Sequence, residues 1–296
     1  MLAVVLGVTL GLGLGVGLTG HHLLVSPRES TIAVSFPIVR NANSTNATTA
    51  ATWWTPKPGL TWQIEILHPL NDTTANVTVY DIDLFTNDAA TIAQLHATNR
   101  KVICYFSAGS YEDFRPDSAD FTPSDYGSPL VGWPGEWWLN TNSTNVRKIM
   151  VKRLDIAASN NCDGVDPDNI DGFKNPSGFN LTRADAIDYI TFLSDAAHAR
   201  NLSMGLKNGG DIVKKVVDKV EYAVNEQCVK YRECNLYQPL IATDKPVFHI
   251  EYPNKNATIN ATLSAEAVAS ICNHRQAAKF STILKHMRLD DWMVAC

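Results

Sequence analysis

The run of residues 161–172 concentrates groups that can carry acid chemistry, since it places four carboxylates within twelve positions. In a strand, side chains alternate with period two, so Asp166 and Asp168 face the same side, and the proline between them cannot donate to a continuing ladder. Crowded carboxylates repel each other unless one is protonated, one meets a cation or the cluster does chemistry. A solvated acidic turn is the alternative. However, strands ending in a carboxylate recur at Glu226 and Glu251.

Polar residues also follow five other predicted strands. In an α/β barrel the carboxyl ends of the strands gather at one face, which is where catalytic groups lie. The sequence therefore predicts one acid-rich mouth to which six strands contribute. Its members are Asp81 with Asp83, Asp166 with Asp168, Lys207 with Asn208, Asn225 with Glu226, Glu251 with Tyr252, and Lys285.

An acid-rich barrel mouth without paired histidines suits glycoside hydrolysis. One carboxylic acid protonates the leaving oxygen, and a second carboxylate attacks the sugar or activates water. Burial among like charges keeps one acid protonated, while hydrogen bonds from a lysine or an asparagine keep the other ionised. Lys207 and Asn208 are candidates for that supporting role, although Lys207 can equally bridge strand ends structurally.

The elements that must position these residues alternate regularly after residue 53. Thr182 followed by Asp185 approximates a capping box at the start of one helix. Strands alternating with helices over about 240 residues predict a single (β/α)8 barrel spanning 53–296, with a doubly wound open sheet as the alternative. The predicted strands are Trp62–Ile66, Val77–Asp81, Val102–Phe106, Gly164–Asp166, Leu202–Leu206, Tyr222–Asn225, Val247–Ile250 and Phe280–Leu284.

The long segment 107–140 after the third strand is rich in tryptophan and tyrosine. Loops of this length in compact domains are usually functional. Aromatic faces suit the apolar side of a sugar ring, so the segment is either a stacking platform for substrate or an ordinary loop core. Trp133, in a Gly-Trp-Pro-Gly turn, is the candidate substrate-binding residue of this segment.

The N-terminus contains an uncharged apolar run from Leu2 to Thr19, which as a helix just spans a hydrocarbon core of ~30 Å. We expect residues 1–20 to be a signal anchor or a signal peptide. No basic residue precedes the run, so the choice stays open. Residues 21–52 have the Ser/Thr/Asn-rich composition of a flexible, glycosylated stalk.

Glycosylation sequons and charge indicate where the protein acts. Nine Asn-x-Ser/Thr sequons predict an extracellular or cell-surface protein that reaches its site through the secretory pathway. The net charge of −5, with no Lys/Arg-rich run, argues against nucleic acid as a partner. We expect a monomer whose only contact with a membrane is the N-terminal segment. The sequons begin at Asn43, Asn46, Asn71, Asn76, Asn142, Asn180, Asn201, Asn256 and Asn260.

The six cysteines agree with an oxidising compartment. Cys228 and Cys234 can close a short loop, and Cys272 with the terminal Cys296 is a second candidate pair. The other two cysteines, at positions 104 and 162, lie in strand-like runs and are expected to be buried thiols.

Other chemistries fit the sequence less well. The histidines show no metal-ligand spacing, and the domain has no Gly-x-Ser-x-Gly elbow or phosphate-cradling glycine loop. We therefore expect no metal and no cofactor. The runner-up is a metal-dependent Asp-x-Asp glycosyltransferase of the secretory pathway, using Asp81 and Asp83 or Asp166 and Asp168. A non-catalytic carbohydrate-binding barrel is the rival from another class.

Over most of 53–296 the chain resembles the endo-α-1,4-polygalactosaminidase family of glycoside hydrolases. The aspartate motif is specific alone, and the others are specific in combination. The motifs are Trp62-Gln63-Ile64, Val79-Tyr80-Asp81-Ile82-Asp83, Val102 to Gly109, Asp163-Gly164-Val165-Asp166-Pro167-Asp168-Asn169, Asn225-Glu226-Gln227-Cys228 and Glu251-Tyr252.

The resemblance implies a (β/α)8 enzyme that cleaves within cationic, galactosamine-containing polysaccharides such as galactosaminogalactan. It implies that Asp168 and Glu226 form the catalytic pair, with Asp168 as acid/base and Glu226 as nucleophile. We expect retention of configuration, for which the two carboxyl groups should lie ~5–5.5 Å apart. The residues expected to bind substrate are Asp81, Asp83, Tyr105, Trp133, Asp166, Lys207, Asn208 and Glu251.

Overall fold

The computed structural model describes residues 52–253 and 263–296. Elements are numbered in chain order. Eight parallel strands form the sheet in the order β1-β2-β3-β7-β8-β9-β10-β11, and the ninth, β12, lies antiparallel on β11. Their bounds are β1 Trp62–Glu65, β2 Val79–Asp83, β3 Lys101–Ser107, β7 Gly164–Asp168, β8 Ser203–Lys207, β9 Tyr222–Glu226, β10 Val247–Glu251, β11 Ser281–Lys285 and β12 Met293–Ala295.

The predicted (β/α)8 barrel is confirmed, and every predicted strand is present with slightly different ends. The largest shift concerns β2, which starts two residues later than predicted, so that Asp81 and Asp83 lie inside the strand. Val79 belongs to the apolar cluster inside the barrel. Because side chains alternate along a strand, Asp81 and Asp83 also face inward.

Side chains complete the barrel between β1 and β11. Within the described ranges, no backbone ladder joins these two strands. Instead, the Trp62 indole donates to the Ser281 carbonyl at 2.8 Å, and Lys285 Nζ donates to Gln63 Oε1 at 2.8 Å. The result is a nearly closed barrel with one seam.

The helices lie between the strands, and all but the last contribute buried apolar residues to the core outside the sheet. The predicted capping box is present at the start of α3, where the Thr182 hydroxyl accepts from the Asp185 backbone and the Asp185 carboxylate accepts from the Thr182 backbone. The helices are α1 Ala89–Ala97, α2 Thr144–Ser159, α3 Arg183–His198, α4 Val213–Val216, α5 Cys228–Tyr231, α6 Gln238–Ala242 and α7 Ala265–Cys272.

The long segment between β3 and α2 folds into a small antiparallel sheet, which the sequence did not predict. Its strands are β4 Ser110–Glu112, β5 Tyr126–Pro129 and β6 Glu136–Leu139, with β6 in the middle. Tyr111 stacks on Tyr126 with ring centroids 4.4 Å apart, which holds two of the strands together. The segment is therefore an ordered sheet beside the barrel mouth.

Three disulfides cross-link the domain. The predicted pairs Cys228–Cys234 and Cys272–Cys296 are confirmed. The expectation of free thiols at Cys104 and Cys162 was wrong, because these residues form the third bridge. β3 and β7 are neighbours in the sheet, which brings residues 58 positions apart in sequence within bonding reach.

The predicted anchor or signal segment and nearly all of the predicted stalk lie outside the described residues, as do the sequons at Asn43, Asn46, Asn256 and Asn260. Within residues 52–253 and 263–296, no helix combines the length and the apolar character needed to cross a bilayer.

Candidate active site

Lys207 brings together the acids of the two strands that flank its own, β7 and β9. It is the last residue of β8 and its side chain is buried. Its Nζ lies 3.4 Å from Asp168 Oδ2 and 3.8 Å from Glu226 Oε2. The two oxygens are therefore at most about 7.2 Å apart. The sequence-predicted catalytic pair thus faces one point at the mouth of the barrel.

Pro167, in the aspartate motif, lies where the pairing between β7 and β8 stops, next to Lys207. Pro167 has no backbone N–H, and the ladder between β7 and β8 pairs only Gly164 with Ser203 and Val165 with Met204. The ladder between β7 and β3 continues to Asp168. The ends of β7 and β8 are consequently not paired by backbone hydrogen bonds, and the side chains of Asp168 and Lys207 contact each other there.

Asp168 is held by neighbours on two sides. The Tyr105 hydroxyl donates to Oδ2 at 3.0 Å, and the Asn169 backbone N–H donates to Oδ1 at 2.7 Å. The side chain remains 19% exposed, so it can reach a ligand. Burial, the Asp168 charge and the tyrosine's bond to it raise the pKa of Tyr105 well above its ordinary value, which keeps this hydroxyl a donor.

Glu226 is held through both carboxylate oxygens. The Tyr252 hydroxyl donates to Oε1 at 2.5 Å, and Asn208 Nδ2 donates to Oε2 at 3.1 Å. The side chain is 28% exposed. Two donors on two oxygens fix the plane of the carboxylate. Tyr252 was predicted as part of the acid-rich mouth, and the structure assigns it this orienting contact.

A cavity of about 680 Å³ opens above this pair. It takes in five of the residues predicted to bind substrate, which are Asp83, Tyr105, Trp133, Lys207 and Asn208, together with Asp168 and Glu226. Trp133 is 51% exposed at its edge. The volume is in the range of small-molecule sites and suits a few sugar units.

Three predicted binding residues lie away from the cavity lining. Asp81 and Asp166 are fully buried beneath Lys207. Glu251 Oε1 accepts hydrogen bonds from the Val229 N–H at 2.8 Å and from His249 Nε2 at 3.0 Å. These bonds tie the end of β10 to α5, so the geometry gives Glu251 a structural contact.

Burial raises the pKa values of the two acids beneath Lys207. Burial, followed by the charges of Asp168 and Glu226, raises the pKa of Asp166 to about 7 against the opposing effect of Lys207. Burial and the nearby Asp166 carboxylate raise the pKa of Asp81 well above its ordinary value. For Lys207, burial lowers the pKa but the surrounding carboxylates outweigh it and raise it, so the ammonium stays charged.

The small antiparallel sheet adds acids to the cavity that sequence reasoning missed. Glu112 and Glu136 lie on β4 and β6 and line the cavity, as does Asp171 after β7. Glu112 is paired with Arg115 at 2.8 Å, and Arg115 also binds Asp83 at 2.7 Å. Asp171 lay inside the acidic run, but nothing in the pattern of the 107–140 segment indicated that its glutamates face the barrel mouth.

The structure does not favour a metal at the aspartate motifs. A lysine ammonium occupies the centre of the acid cluster, where a metal-dependent transferase needs its divalent ion. In the described part of the chain, the one group with metal-like spacing is Cys228, Cys234 and His249, and both cysteines are in a disulfide. A disulfide sulfur is not a thiolate ligand.

A (β/α)8 barrel with two partly exposed carboxylates at the carboxyl ends of its strands defines the glycoside hydrolase class. More narrowly, the chain belongs to glycoside-hydrolase family GH114, which it matches over residues 43–296. The transferase and the non-catalytic barrel are accordingly not favoured.

Two solved structures are similar to the chain, one in sequence and fold and one in fold alone. The chain is 51% identical to Aspergillus fumigatus Ega3, solved in complex with galactosamine, with a TM-score of 0.80 over 82% of this chain and 97% of that one. It shares the fold of the glycoside hydrolase domain of PelA from Pseudomonas aeruginosa, with a TM-score of 0.61, 12% identity and coverage of 80% and 98%. No match was found among curated proteins.

Proposed function

We propose that this glycoside hydrolase cleaves α-1,4-linked galactosamine polymers internally, with Asp168 as acid/base and Glu226 as nucleophile. The single observation that carries the proposal is that Asp168 and Glu226 share one cation, Lys207, at the floor of one open cavity. The galactosamine bound to the similar Ega3 structure supports the choice of sugar.

The charge of the cavity also supports a cationic substrate. Of the acids that line it, Asp168 and Glu226 are paired with Lys207, and Asp83 and Glu112 with Arg115. Glu136 has no basic side chain within 4.0 Å among residues 52–253 and 263–296, and burial raises its pKa. The ammonium group of a galactosamine unit would supply the missing positive charge and stabilise the ionised form of Glu136.

The proposed reaction assigns a separate step to each of the two acids. Asp168 donates its proton to the glycosidic oxygen as the bond to the anomeric carbon breaks, and Glu226 forms a covalent bond to that carbon. Water then adds to the anomeric carbon, gives a proton to Asp168 and releases Glu226. A retaining enzyme has its carboxyl groups about 5–5.5 Å apart, and the limit of about 7.2 Å set by Lys207 is compatible with this spacing.

The test measures new reducing ends released from a deacetylated α-1,4-galactosaminan. Asp168→Asn and Glu226→Gln should each lower kcat by at least about 100-fold, since positioned acid/base catalysis contributes ~10²–10⁴. Asp195→Asn and Glu266→Gln, which change exposed acids on α3 and α7, are the matched controls. Full activity in both cavity variants would mean that other residues carry the chemistry, and binding without cleavage by the native protein would favour a binding module.

Proton NMR of the first product determines the stereochemistry. We expect the α-anomer to appear first, and initial β-anomer would require inversion and a water between the two carboxylates.

We also propose that the protein acts as a monomer outside the cell or at its surface, with any membrane contact limited to the N-terminal segment. The three disulfides and the exposed sequons Asn71, Asn76, Asn142, Asn180 and Asn201 support an oxidising, secretory route. A mobility shift on enzymatic deglycosylation of the secreted protein, and its mass in solution, test these two statements.

A further inference from the structure

Two carboxyl groups lie directly beneath the candidate active site without a hydrogen-bond donor. Asp81 on β2 and Asp166 on β7 are both fully buried, and neither lines the cavity. None of their four side-chain oxygens has a hydrogen-bond partner within the described residues. The nearest cation is the Lys207 ammonium, 3.7 Å from Asp166 Oδ2. Buried carboxylate oxygens normally have donors, so this arrangement requires an explanation.

A proton shared between the two groups provides the missing donor. Asp81 and Asp166 lie close enough to hydrogen-bond to each other when one of them is protonated. Two adjacent carboxylates without solvent cannot both ionise, because their repulsion adds to the cost of burying each charge. The Tyr222 hydroxyl, on β9, is not the donor, because it binds the Val165 carbonyl at 2.7 Å.

We propose that Asp81 and Asp166 hold one shared proton, and that their remaining single negative charge positions the Lys207 ammonium between Asp168 and Glu226. The pair is then a positioning element of the reaction, and it does not contact the sugar. This inference rests on the proposed function for the roles of Asp168 and Glu226, whereas the shared proton itself does not.

The charges that face the pair define its effect. Lys207 reaches it from β8, Asp168 from β7 and Glu226 from β9. With one shared proton, the pair carries one negative charge and balances Lys207. If the pair carried no charge, the Lys207 ammonium would interact with Asp168 and Glu226 alone. Its positive charge would then lower the pKa of the acid that protonates the leaving group.

The first experiment is difference infrared spectroscopy at pH 8, a pH at which ordinary carboxyl groups are ionised. We expect the native protein to retain the carbonyl stretch of a neutral carboxylic acid. Asp81→Asn and Asp166→Asn should each abolish this band, because the amide donates to the remaining carboxylate and no shared proton is needed. Glu112→Gln, which changes a different buried acid, should retain it. Absence of the band in the native protein, or its persistence in both aspartate variants, would overturn the inference.

The second experiment compares pH–rate profiles. Asp81→Asn keeps the single charge, so the alkaline limb should stay within about 0.3 pH unit of the native limb. The double change Asp81→Asn with Asp166→Asn removes that charge and should move the limb to lower pH by about one unit, as expected for a unit charge several ångströms away. If the pair had only a structural role, the variants would be slower but the alkaline limb of the pH–rate profile would not move.

A shift in the single variant about half as large as that in the double variant would mean that both carboxylates are ionised in the native protein, which contradicts the inference. Circular dichroism of each variant establishes that it is folded. If the native protein shows no hydrolysis, the proposed function fails, and the infrared result still decides whether the proton is shared.

Discussion

The Nζ atom of Lys207 lies 3.4 Å from Oδ2 of Asp168, at the end of two strands whose backbones are not paired at that point. The contact replaces the missing ladder with an ion pair, and it makes one buried ammonium responsible for the charge balance of the whole cluster.

Lys207→Met should therefore destabilise the protein and abolish hydrolysis. Removing one member of a buried charge cluster typically costs about 3–5 kcal/mol, because the remaining charges stay without compensation. Urea unfolding should show that loss at pH 8 and a smaller one at pH 5, where the carboxyls take up protons. Lys219→Met, which breaks an exposed pair with Asp195, should change stability by less than about 1 kcal/mol. Equal losses in the two variants would contradict the central role of Lys207.

Trp133→Ala should weaken binding of the polymer more than it slows the chemistry. The indole is half exposed at the cavity edge, where it can stack on a sugar unit without contacting the reacting bond. We expect KM to rise about tenfold, which corresponds to about 1.4 kcal/mol, with kcat changed far less. Steady-state kinetics on long and short oligomers measure the effect. Tyr231→Ala removes an exposed aromatic residue outside the cavity lining and serves as the control.

The disulfide between Cys104 and Cys162 should contribute more to stability than the one between Cys228 and Cys234. Loop-closure entropy gives about 4 kcal/mol for a separation of 58 residues and about 2 kcal/mol for 6 residues. Replacing each pair with alanine and measuring unfolding in guanidinium chloride tests the order. A larger loss for the shorter loop would show that chain entropy in the unfolded state is not the dominant effect.

Stability should be highest at mildly acidic pH. Burial raises the pKa of Glu65 and of Glu112 to about 7, so the folded protein binds more protons than the unfolded chain between about pH 4.5 and 7. Stability then falls as pH rises through this window. Tm should drop by several degrees from pH 5 to pH 7.5, since about 1 kcal/mol changes Tm by ~2–4 °C in a domain of this size.

Glu65→Gln should flatten that dependence, because the amide cannot ionise. The same Tm series on the variant measures the difference in slope. A native Tm that rises between pH 5 and pH 7.5 would contradict the assignment of raised pKa values to these buried acids.

The sequence predicted the barrel well because short strand-like segments alternate with helices that carry regular apolar faces. It also placed Asp168, Glu226 and Lys207 at one rim, because the end of each strand can be recognised from the residues next to it. The sequence did not predict how deeply each of the acids is buried. Asp81 and Asp166 differ from Asp168 in burial because of neighbours on other strands, and only the folded arrangement contains that information.

The small antiparallel sheet beside the barrel mouth was not predicted, for a related reason. Residues 107–140 have no sustained periodicity, and their three strands are short and joined by long connections. The link between Cys104 and Cys162 was missed although the predicted barrel makes β3 and β7 neighbours, because only the register of their pairing shows that these two side chains come within bonding reach.

The seam between β1 and β11 sets where the barrel can open locally. At this seam, side chains such as Gln63 and Lys285 join the two strands by hydrogen bonds, whereas backbone hydrogen bonds join the other strands of the sheet. Amide protons along that edge should exchange with solvent sooner than those of β7, β8 and β9. These three strands carry the acid cluster and lie across the barrel from the seam, so transient fraying there leaves the spacing of the reactive groups intact.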